Sequence, residues 1–294
     1  MPLPDVQNYR SLHLYKLTRV GVTGVVKPIR VARHGVTTQT VGTIDAFVDL
    51  PAEQRGIHMS RNVEAINATI DALVRETTVG LEDLAQKMAE TLLARHDYAS
   101  EAEIDIHADY FRERRTPHNH APTLERYALQ ASAVAVRGQG VRKTIGVTVV
   151  GMTACPCAME GSRTVLTERG HVIPDIPTIT HNQRNNTLVL MEFADGHAVE
   201  ANDLIDIAEE SLSAPTFELL KRGDETALVM QAHENPRFVE DVVREVLSRV
   251  QKRYGHLPAD TIVAVRSEAE ESIHKHNAFA ERVVTVGELR APSA

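Results

Sequence analysis

Apolar side chains alternate with polar ones in some stretches of the chain and recur every three or four residues in others. Alternation together with β-branched residues is typical of strands, and the longer spacing is typical of helices. In the first half of the chain these patterns predict strands, helices and again strands, in that order. In chain order they are strands 19–31 and 40–50, helices 62–76 and 81–95, and strands 101–110 and 127–137.

The second half repeats this order. It consists of strands 141–150 and 186–193, helices 202–212 and 237–254, and strands 261–267 and 280–286. Strand 186–193 is the expected hairpin partner of strand 141–150, and Asn202 is the expected N-cap of its helix. Hairpins with helices between them predict an α+β fold, in which two helices cover one face of an antiparallel sheet in each unit. We place the units at residues 1–138 and 139–294 of one continuous domain.

Composition and charge narrow the class of protein. With 294 residues, 43% of them hydrophobic, the chain can bury a sizeable core. A net charge of −8 argues against a nucleic-acid partner but leaves room for a small phosphorylated ligand. The sequence contains no apolar run of about 18 residues, so we expect no membrane span. Residues 1–10 lack the apolar core of a signal peptide.

The two cysteines, Cys155 and Cys157, flank Pro156 directly after a predicted strand. Two cysteines one residue apart exclude a disulfide framework, and this suggests a reducing, cytoplasmic setting. At least one thiolate is then available as a metal ligand or nucleophile. The alternative is that both are small buried residues at a turn.

Histidines supply two further candidate stretches. His181 opens a polar cluster before a predicted strand, and Arg184 in that cluster could meet a phosphate. His274 and His276 would point to the same side of an extended segment, a favourable spacing for a metal ligand and a proton carrier. The alternatives are an exposed turn at His181 and an ordinary surface at His274.

Charged residues in the second half are also ambiguous. Lys221 and Arg222 stand beside the carboxylate Glu225. Glu240 lies in the first turn of helix 237–254, where it either favours the helix dipole or accepts hydrogen bonds from a guanine-type edge. Thiolate, imidazole and carboxylate together suit zinc or ferrous iron. From these residues alone the prediction is a metal-assisted hydrolase acting on a phosphorylated or nitrogen-rich small molecule.

Six short motifs, in order along nearly the whole chain, resemble the GTP cyclohydrolases of the metal-dependent type IB/type IV group. The motifs are FVDLP (47–51), RGIHMSR (55–61), CPC (155–157), HNQR (181–184), LKR (220–222) and ESIHKH (271–276). Within the group, the long segment 161–180 is similar to that of the archaeal methanopterin-pathway enzymes. A departure from the bacterial pattern is that Met230 and His233 stand where that pattern has Glu and Tyr.

The resemblance implies a fold of tandem tunnelling units and a set of site residues. The implied ligands of one divalent metal per subunit are Cys155, His181, Glu225 and His274. Fe²⁺ is the favoured metal, with Zn²⁺ and Mn²⁺ as alternatives. Cys155 would also take part in catalysis, His276 would transfer protons, and Glu240 would anchor the purine. The cations available for the triphosphate are Arg61, Arg184, Lys221, Arg222 and Lys275.

The resemblance also implies a reaction, the first step of methanopterin biosynthesis. GTP would be hydrolysed to 7,8-dihydroneopterin 2′,3′-cyclic phosphate, formate and diphosphate. Two alternatives stay open: a folate-type cyclohydrolase that forms 7,8-dihydroneopterin triphosphate, and a noncatalytic module that binds metal or purine. We expect a cytoplasmic homodimer or higher homo-oligomer with no nucleic-acid or membrane partner.

Overall fold

Antiparallel strands and helices make up the computed structural model of this protein, which describes residues 4–33, 36–73 and 80–291. The strands are β1 (Leu17–Arg33), β2 (Val36–Leu50), β3 (Glu101–Arg115), β4 (Pro122–Val136), β5 (Gly140–Ala154), β6 (Asn182–Ala194), β7 (Ala214–Pro215), β8 (Ile262–Ala269) and β9 (Ala278–Thr285). The α-helices are α1 (Met59–Leu73), α2 (Leu81–Arg95), α3 (Pro156–Glu168), α4 (Ala201–Ser211), α5 (Arg222–Glu234), α6 (Val239–Tyr254) and α7 (Val286–Arg290).

Hydrogen-bonded neighbours in the sheet follow the order of the chain. The order is β1-β2-β3-β4-β5-β6-β8-β9, and the short β7 pairs with β5. The pairing is antiparallel, with Ile44 of β2 opposite Ile106 of β3 and Val263 of β8 opposite Val284 of β9. The predicted α+β class and the predicted pairing of β5 with β6 are confirmed.

The first compact unit comprises Met1–Asp109, Leu129–Ile145 and Glu192–His197. Its core forms because β2 and β3 turn alternate aliphatic side chains to one face, where Ile44 and Ile104 are fully buried. Helices α1 and α2 are amphipathic, and Ile66 and Leu92 are fully buried in this unit. Residues 74–76 of the predicted first helix, including Val74, lie outside the described residues.

The second compact unit comprises Tyr110–Ala128, Gly146–Met191 and Ala198–Ala294. The two predicted helices are present as α4 and α6, which contact each other through faces that include the buried Leu204 and Val246. This unit also contains α3, α5 and α7, so the expectation of two helices per unit holds only for the first. Helix α5 escaped prediction because it buries little apolar surface, mainly Leu228 and Ala232.

Two helix starts differ from the prediction. Glu200, not Asn202, is the N-cap of α4, and Asn202 lies inside the helix, where its Oδ1 accepts a hydrogen bond from Tyr110 Oη at 3.0 Å. Helix α6 begins at Val239 rather than at residue 237. The predicted division of the chain into two units after residue 138 stays a prediction. Within the described ranges, no helix is long and apolar enough to cross a membrane.

Candidate active site

Three backbone hydrogen bonds gather distant segments of the second unit at the end of β5. The N–H of Cys155 donates to the carbonyl of His181 at 3.1 Å, which joins the end of β5 to the start of β6. The N–H of Arg237 donates to the carbonyl of Ala154 at 3.0 Å, which brings the start of α6 to the same place. The N–H of Glu270 donates to the carbonyl of Arg184 at 2.8 Å. The connection between β8 and β9 is thereby joined to β6.

A pocket of about 310 Å³ lies at this convergence. Its volume is at the lower end of the roughly 300–1,000 Å³ that is usual for small-molecule sites. Predicted site residues from four separate stretches of the sequence line it, namely Cys155, His181, Glu240, His274 and His276. The backbone hydrogen bonds described above therefore bring together side chains that are far apart in the sequence.

Cys155 is the N-cap of α3, a helix that the sequence analysis did not predict. Pro156 occupies the first turn, where its missing N–H is no loss and its fixed φ suits the helix. The Sγ of Cys155 accepts the N–H of Ala158 at 3.4 Å, and Thr180 Oγ1 donates to the Cys155 carbonyl at 2.6 Å. The thiol is held in a defined direction on the pocket wall, whereas Cys157 is exposed.

The three histidines of the pocket lie next to one another. The His181 and His274 rings are nearly perpendicular, with centroids 6.5 Å apart, and the His274 and His276 rings stack at 5.2 Å. We predicted an extended segment around His274, but the chain bends there between β8 and β9. The two side chains still share one side, because the bend stacks their rings.

Glu271 is a pocket residue that the sequence analysis quoted within a motif but did not single out. Its side chain is only 11% exposed, and Oε2 is buried without a hydrogen-bond partner among the described residues. The nearest ionisable nitrogen, Nδ1 of His181, is 3.8 Å from Oε2. Burying an unpaired carboxylate oxygen is costly, so this atom is suited to receive a cation or a donor from a ligand.

The donors around the pocket fit a divalent metal. Cys155, His181, His274 and Glu271 offer thiolate, imidazole and carboxylate, the mixture that suits Zn²⁺ or Fe²⁺. In the part of the chain that the structure describes, no three such side chains stand at the mutual spacing of a formed metal site. The fit therefore rests on the chemistry of the donors and on the unpaired Oε2 of Glu271.

Glu240 and Asp241 both lie in the first turn of α6 but differ in what they contact. The Asp241 carboxylate accepts the N–H of Phe238 at 3.1 Å and so caps the helix. Glu240 lines the pocket instead. Because Asp241 already serves the helix end, the carboxylate of Glu240 is free to serve a ligand.

Glu225, the predicted fourth metal ligand, is exposed in the first turn of α5 and is not among the residues that line the pocket. Lys221 and Arg222 are exposed beside it. The buried carboxylate of this stretch is Asp224, which accepts the N–H groups of His118 and Asn119 at 3.0 and 2.8 Å. These donors lower the pKa of Asp224, although burial alone would raise it. The ligand role of Glu225 stays a prediction.

Comparison with known proteins gives a match over nearly the whole chain. The family model described as type I GTP cyclohydrolase folE2 matches residues 3–280. The chain belongs to this family. It is 44% identical to the GTP cyclohydrolase MptA of Methanothermobacter thermautotrophicus, over 98% of this chain and 95% of that protein. It is 42% identical to the GTP cyclohydrolase MptA of Methanobrevibacter smithii, over 98% and 97%. The predicted family and the predicted hydrolase class are confirmed.

Solved structures with low sequence identity share the fold of this GTP cyclohydrolase. Uricase from Arthrobacter globiformis aligns with a TM-score of 0.57 and 9% identity, over 96% of this chain and 98% of that one. A uricase from Bacillus fastidious aligns with a TM-score of 0.53 and 11% identity, over 93% and 95%. At such identities the likeness concerns the fold alone, and it confirms the predicted tunnelling fold.

The cations predicted for the triphosphate lie in different places in the cyclohydrolase. Arg184 follows the buried Gln183 in β6, so its side chain points to the opposite face, where it lines a separate cavity of about 460 Å³. Arg61 lies in α1 of the first unit and donates to the carbonyl of Arg95 at 3.1 Å. Arg237, which the sequence analysis did not select, lines the pocket beside Glu240. The triphosphate contacts of Arg61, Arg184, Lys221 and Arg222 stay predictions.

Proposed function

We propose that this GTP cyclohydrolase opens the imidazole ring of GTP, releases formate and diphosphate, and forms 7,8-dihydroneopterin 2′,3′-cyclic phosphate for methanopterin biosynthesis. The observation that carries the proposal is that Cys155, His181, His274 and Glu240 line one pocket. A metal-type donor set and a purine-type acceptor thus meet in one place. The two relatives named above, both GTP cyclohydrolases MptA, support the choice of product branch.

Binding of the guanine falls to Glu240. Its two carboxylate oxygens accept hydrogen bonds, and the guanine edge presents an N–H and an amino group side by side. Adenine lacks this pair of donors, so a site built around Glu240 rejects it strongly. The ring of Phe238, 43% exposed beside the pocket, offers an apolar face on which the purine can stack.

Cys155, His181 and His274 would hold the divalent metal, with a carboxylate from Glu271 or, as the family resemblance implies, Glu225. When bound, the metal would supply a water of lowered pKa close to the ring carbon that must be attacked. We favour Fe²⁺, with Zn²⁺ and Mn²⁺ as alternatives. The contribution of the chain is to orient the donors and to keep the ring carbon facing them.

Proton transfer falls to His276. Cleavage of the imidazole ring leaves two nitrogens that must each gain a proton. His276 stacks on His274 with an angle of 14° between the rings, so it lies within the pocket and adjacent to the metal donors. A histidine in this position can act as a general acid that carries protons to the opening ring.

The experiment that tests this function is GTP turnover by the full chain with added Fe²⁺, Zn²⁺ or Mn²⁺ under anaerobic conditions, with mass detection of products. We expect formate, diphosphate and the cyclic phosphate. Dihydroneopterin triphosphate without diphosphate would assign the chain to the folate-type alternative. Absence of turnover with every metal would favour the noncatalytic module. Cys155→Ser serves as the inactive control.

We also propose that the protein is a homo-oligomer, at least a dimer, in the cytoplasm. Among the described residues, strands β1 and β9 end the order of paired strands, and unpaired edges favour association with another copy. Light scattering at the concentration of the assay tests this. A catalytically active monomer would contradict it.

A further inference from the structure

Gln183 joins His181 to the buried carboxylate of Glu271. It is the second residue of β6 and lies two positions after His181, which directly precedes the strand, so the two side chains lie on the same side of the chain. Its Oε1 lies 2.9 Å from Nδ1 of His181. Its Nε2 lies 3.2 Å from Thr153 Oγ1 and 3.4 Å from Glu271 Oε1. The amide is thus held on both of its ends.

The chemistry of Glu271 decides which way the amide of Gln183 points. A carboxylate accepts hydrogen bonds and donates none, so the group that faces Glu271 must be the NH₂ of the amide. The carbonyl oxygen of Gln183 then faces Nδ1 of His181. Because a carbonyl oxygen carries no proton, Nδ1 must carry one and donate it. In the neutral ring, the free electron pair is consequently on Nε2.

Two other groups near Nδ1 are compatible with the same arrangement. Ser272 Oγ lies 3.4 Å from Nδ1, and Glu271 Oε2 lies 3.8 Å from it. Both oxygens can accept a hydrogen bond from an N–H, and neither requires Nδ1 to be an acceptor. The backbone on this side is also pinned, since the His181 carbonyl accepts the N–H of Cys155 at 3.1 Å. The backbone of His181 is thus held by Cys155, and the orientation of its ring is held by Gln183.

We propose that Gln183 is a positioning residue that, backed by Glu271, holds His181 as the Nδ1–H tautomer and so leaves Nε2 as the donor atom offered to the pocket. The inference rests on the proposed ligand role of His181 and adds the reason why that residue binds through one particular nitrogen. Partners of this kind, which orient a ligating histidine, typically contribute about 10–100-fold to metal affinity or activity.

The test uses the full chain with Gln183→Leu and Gln183→Glu. In metal-free protein labelled with ¹⁵N-histidine, the nitrogen shifts of His181, assigned by the loss of its signals in His181→Asn, report the tautomer. Gln183→Leu removes the acceptor, so the Nδ1–H form should give way to a mixture. Gln183→Glu keeps an oxygen beside Nδ1 and should retain the Nδ1–H form. Zn²⁺ affinity, measured by competition with a chelator, should fall by about 10–100-fold in Gln183→Leu.

Asn185→Leu is the matched control. Asn185 is the next residue on the same face of β6, also a buried amide, and its Oδ1 accepts from Thr187 and Ser267 rather than contacting His181. This variant should lower the melting temperature while the His181 tautomer and the Zn²⁺ affinity of the folded protein stay as they were. An equal loss of Zn²⁺ affinity in Asn185→Leu and Gln183→Leu would reduce Gln183 to a general packing role and overturn the proposal.

The inference and the proposed function fail in different ways. An unchanged His181 tautomer and unchanged Zn²⁺ affinity in Gln183→Leu would overturn the inference even if the wild-type chain hydrolyses GTP. So would a loss of the Nδ1–H form in Gln183→Glu as complete as that in Gln183→Leu. A tautomer that depends on Gln183 in a chain that does not turn over GTP would leave the inference standing and overturn the function.

Discussion

His96 in the first unit and His181 in the second are both hydrogen-bonded to a side-chain amide, yet they differ in what they leave unsatisfied. Nε2 of His96 lies 3.0 Å from Asn62 Oδ1, and its Nδ1 lies 2.7 Å from Tyr98 Oη. Both nitrogens are used, and the residue is fully buried. His181 lines the pocket and uses Nδ1 for Gln183, and among the described residues no hydrogen bond involves its Nε2.

The difference separates a histidine that completes a buried network from one that is proposed to bind the metal. Burial, with a smaller contribution from the positive charge of Arg61, lowers the pKa of His96 to about 4, so the ring stays neutral and completes a closed network. At His181 the hydrogen-bond network is incomplete, because Oε2 of the neighbouring Glu271 has no hydrogen-bond partner among the described residues. What supports the proposed role of His181 is therefore an incomplete set of hydrogen bonds in a pocket, rather than the presence of a histidine as such.

The largest expected effect on metal content and turnover comes from replacing the histidines of the pocket. His181→Asn and His274→Asn should each lose metal and GTP turnover together, by more than the roughly 10–100-fold that a supporting residue contributes. The measurements are metal content by elemental analysis and kcat/KM for GTP. His96→Asn is the counterpart in the closed network and should lose stability with metal content unchanged. Full metal occupancy in both pocket variants would remove these residues from the site.

Glu240 and Asp241 give the next largest contrast. Glu240→Gln replaces an acceptor by a donor and should lower kcat/KM by about 10²–10⁴-fold, since two hydrogen bonds to a charged group contribute roughly 1.5–3 kcal/mol each. Asp241→Asn alters the helix cap and should cost about 1 kcal/mol of stability with turnover within a few-fold. Equal losses of turnover in the two variants would contradict the assignment of Glu240 to the guanine.

The buried His96 predicts a pH dependence of stability. Its pKa is about 4 in the folded protein against 6.5 when unfolded, so below pH 6.5 the unfolded chain takes up a proton that the folded chain does not. The stabilisation is complete above pH 6.5 and is lost as the pH falls towards 4. Between pH 7 and pH 5 the loss should be roughly 2 kcal/mol, measured by urea unfolding. His96→Gln should lack this component, and an identical pH profile in that variant would argue against it.

The smallest effect is expected at Cys157. Its side chain is exposed and lies outside the residues that line the pocket, so Cys157→Ser should keep metal content and at least part of the turnover. Cys155→Ser should abolish both, because Cys155 faces the pocket. The reverse result, measured in the same GTP assay, would exchange the roles of the two thiols.

Most elements of the fold were predictable because their signal is local. The sequence predicted β3, β5 and β6, and helical spacing predicted α2 and α6, each within five residues of its observed bounds. Helix α3 was missed because it packs little against the core: Met159 is its one buried residue, whereas α2 buries eight. The N-cap of α4 was missed because Asn202 forms a tertiary hydrogen bond that no local pattern reveals.

The sequence predicted the chemical groups of the candidate site but not the full set of residues that form it. Cys155, His181 and Glu240 were selected by residue type and motif, and all three line the pocket. Glu271 and Gln183 were present in the quoted motifs but were not selected, although the position of Gln183 two residues after His181 already placed both on the same side of the chain. The burial of Glu271 could not be read in advance, because it depends on the packing of segments distant in the chain.

The sequence by itself determined the family, the α+β class and the residue types of the site, since motifs and hydrophobic periodicity are properties of neighbouring positions. The tertiary structure decided which of those residues meet. It brought Cys155 to His181 through a backbone hydrogen bond and left Glu225 exposed on α5. It also turned the amide of Gln183 so that its oxygen faces His181. These outcomes depend on distances between segments far apart in the chain, and such distances are set by packing and hydrogen bonds that no local pattern encodes.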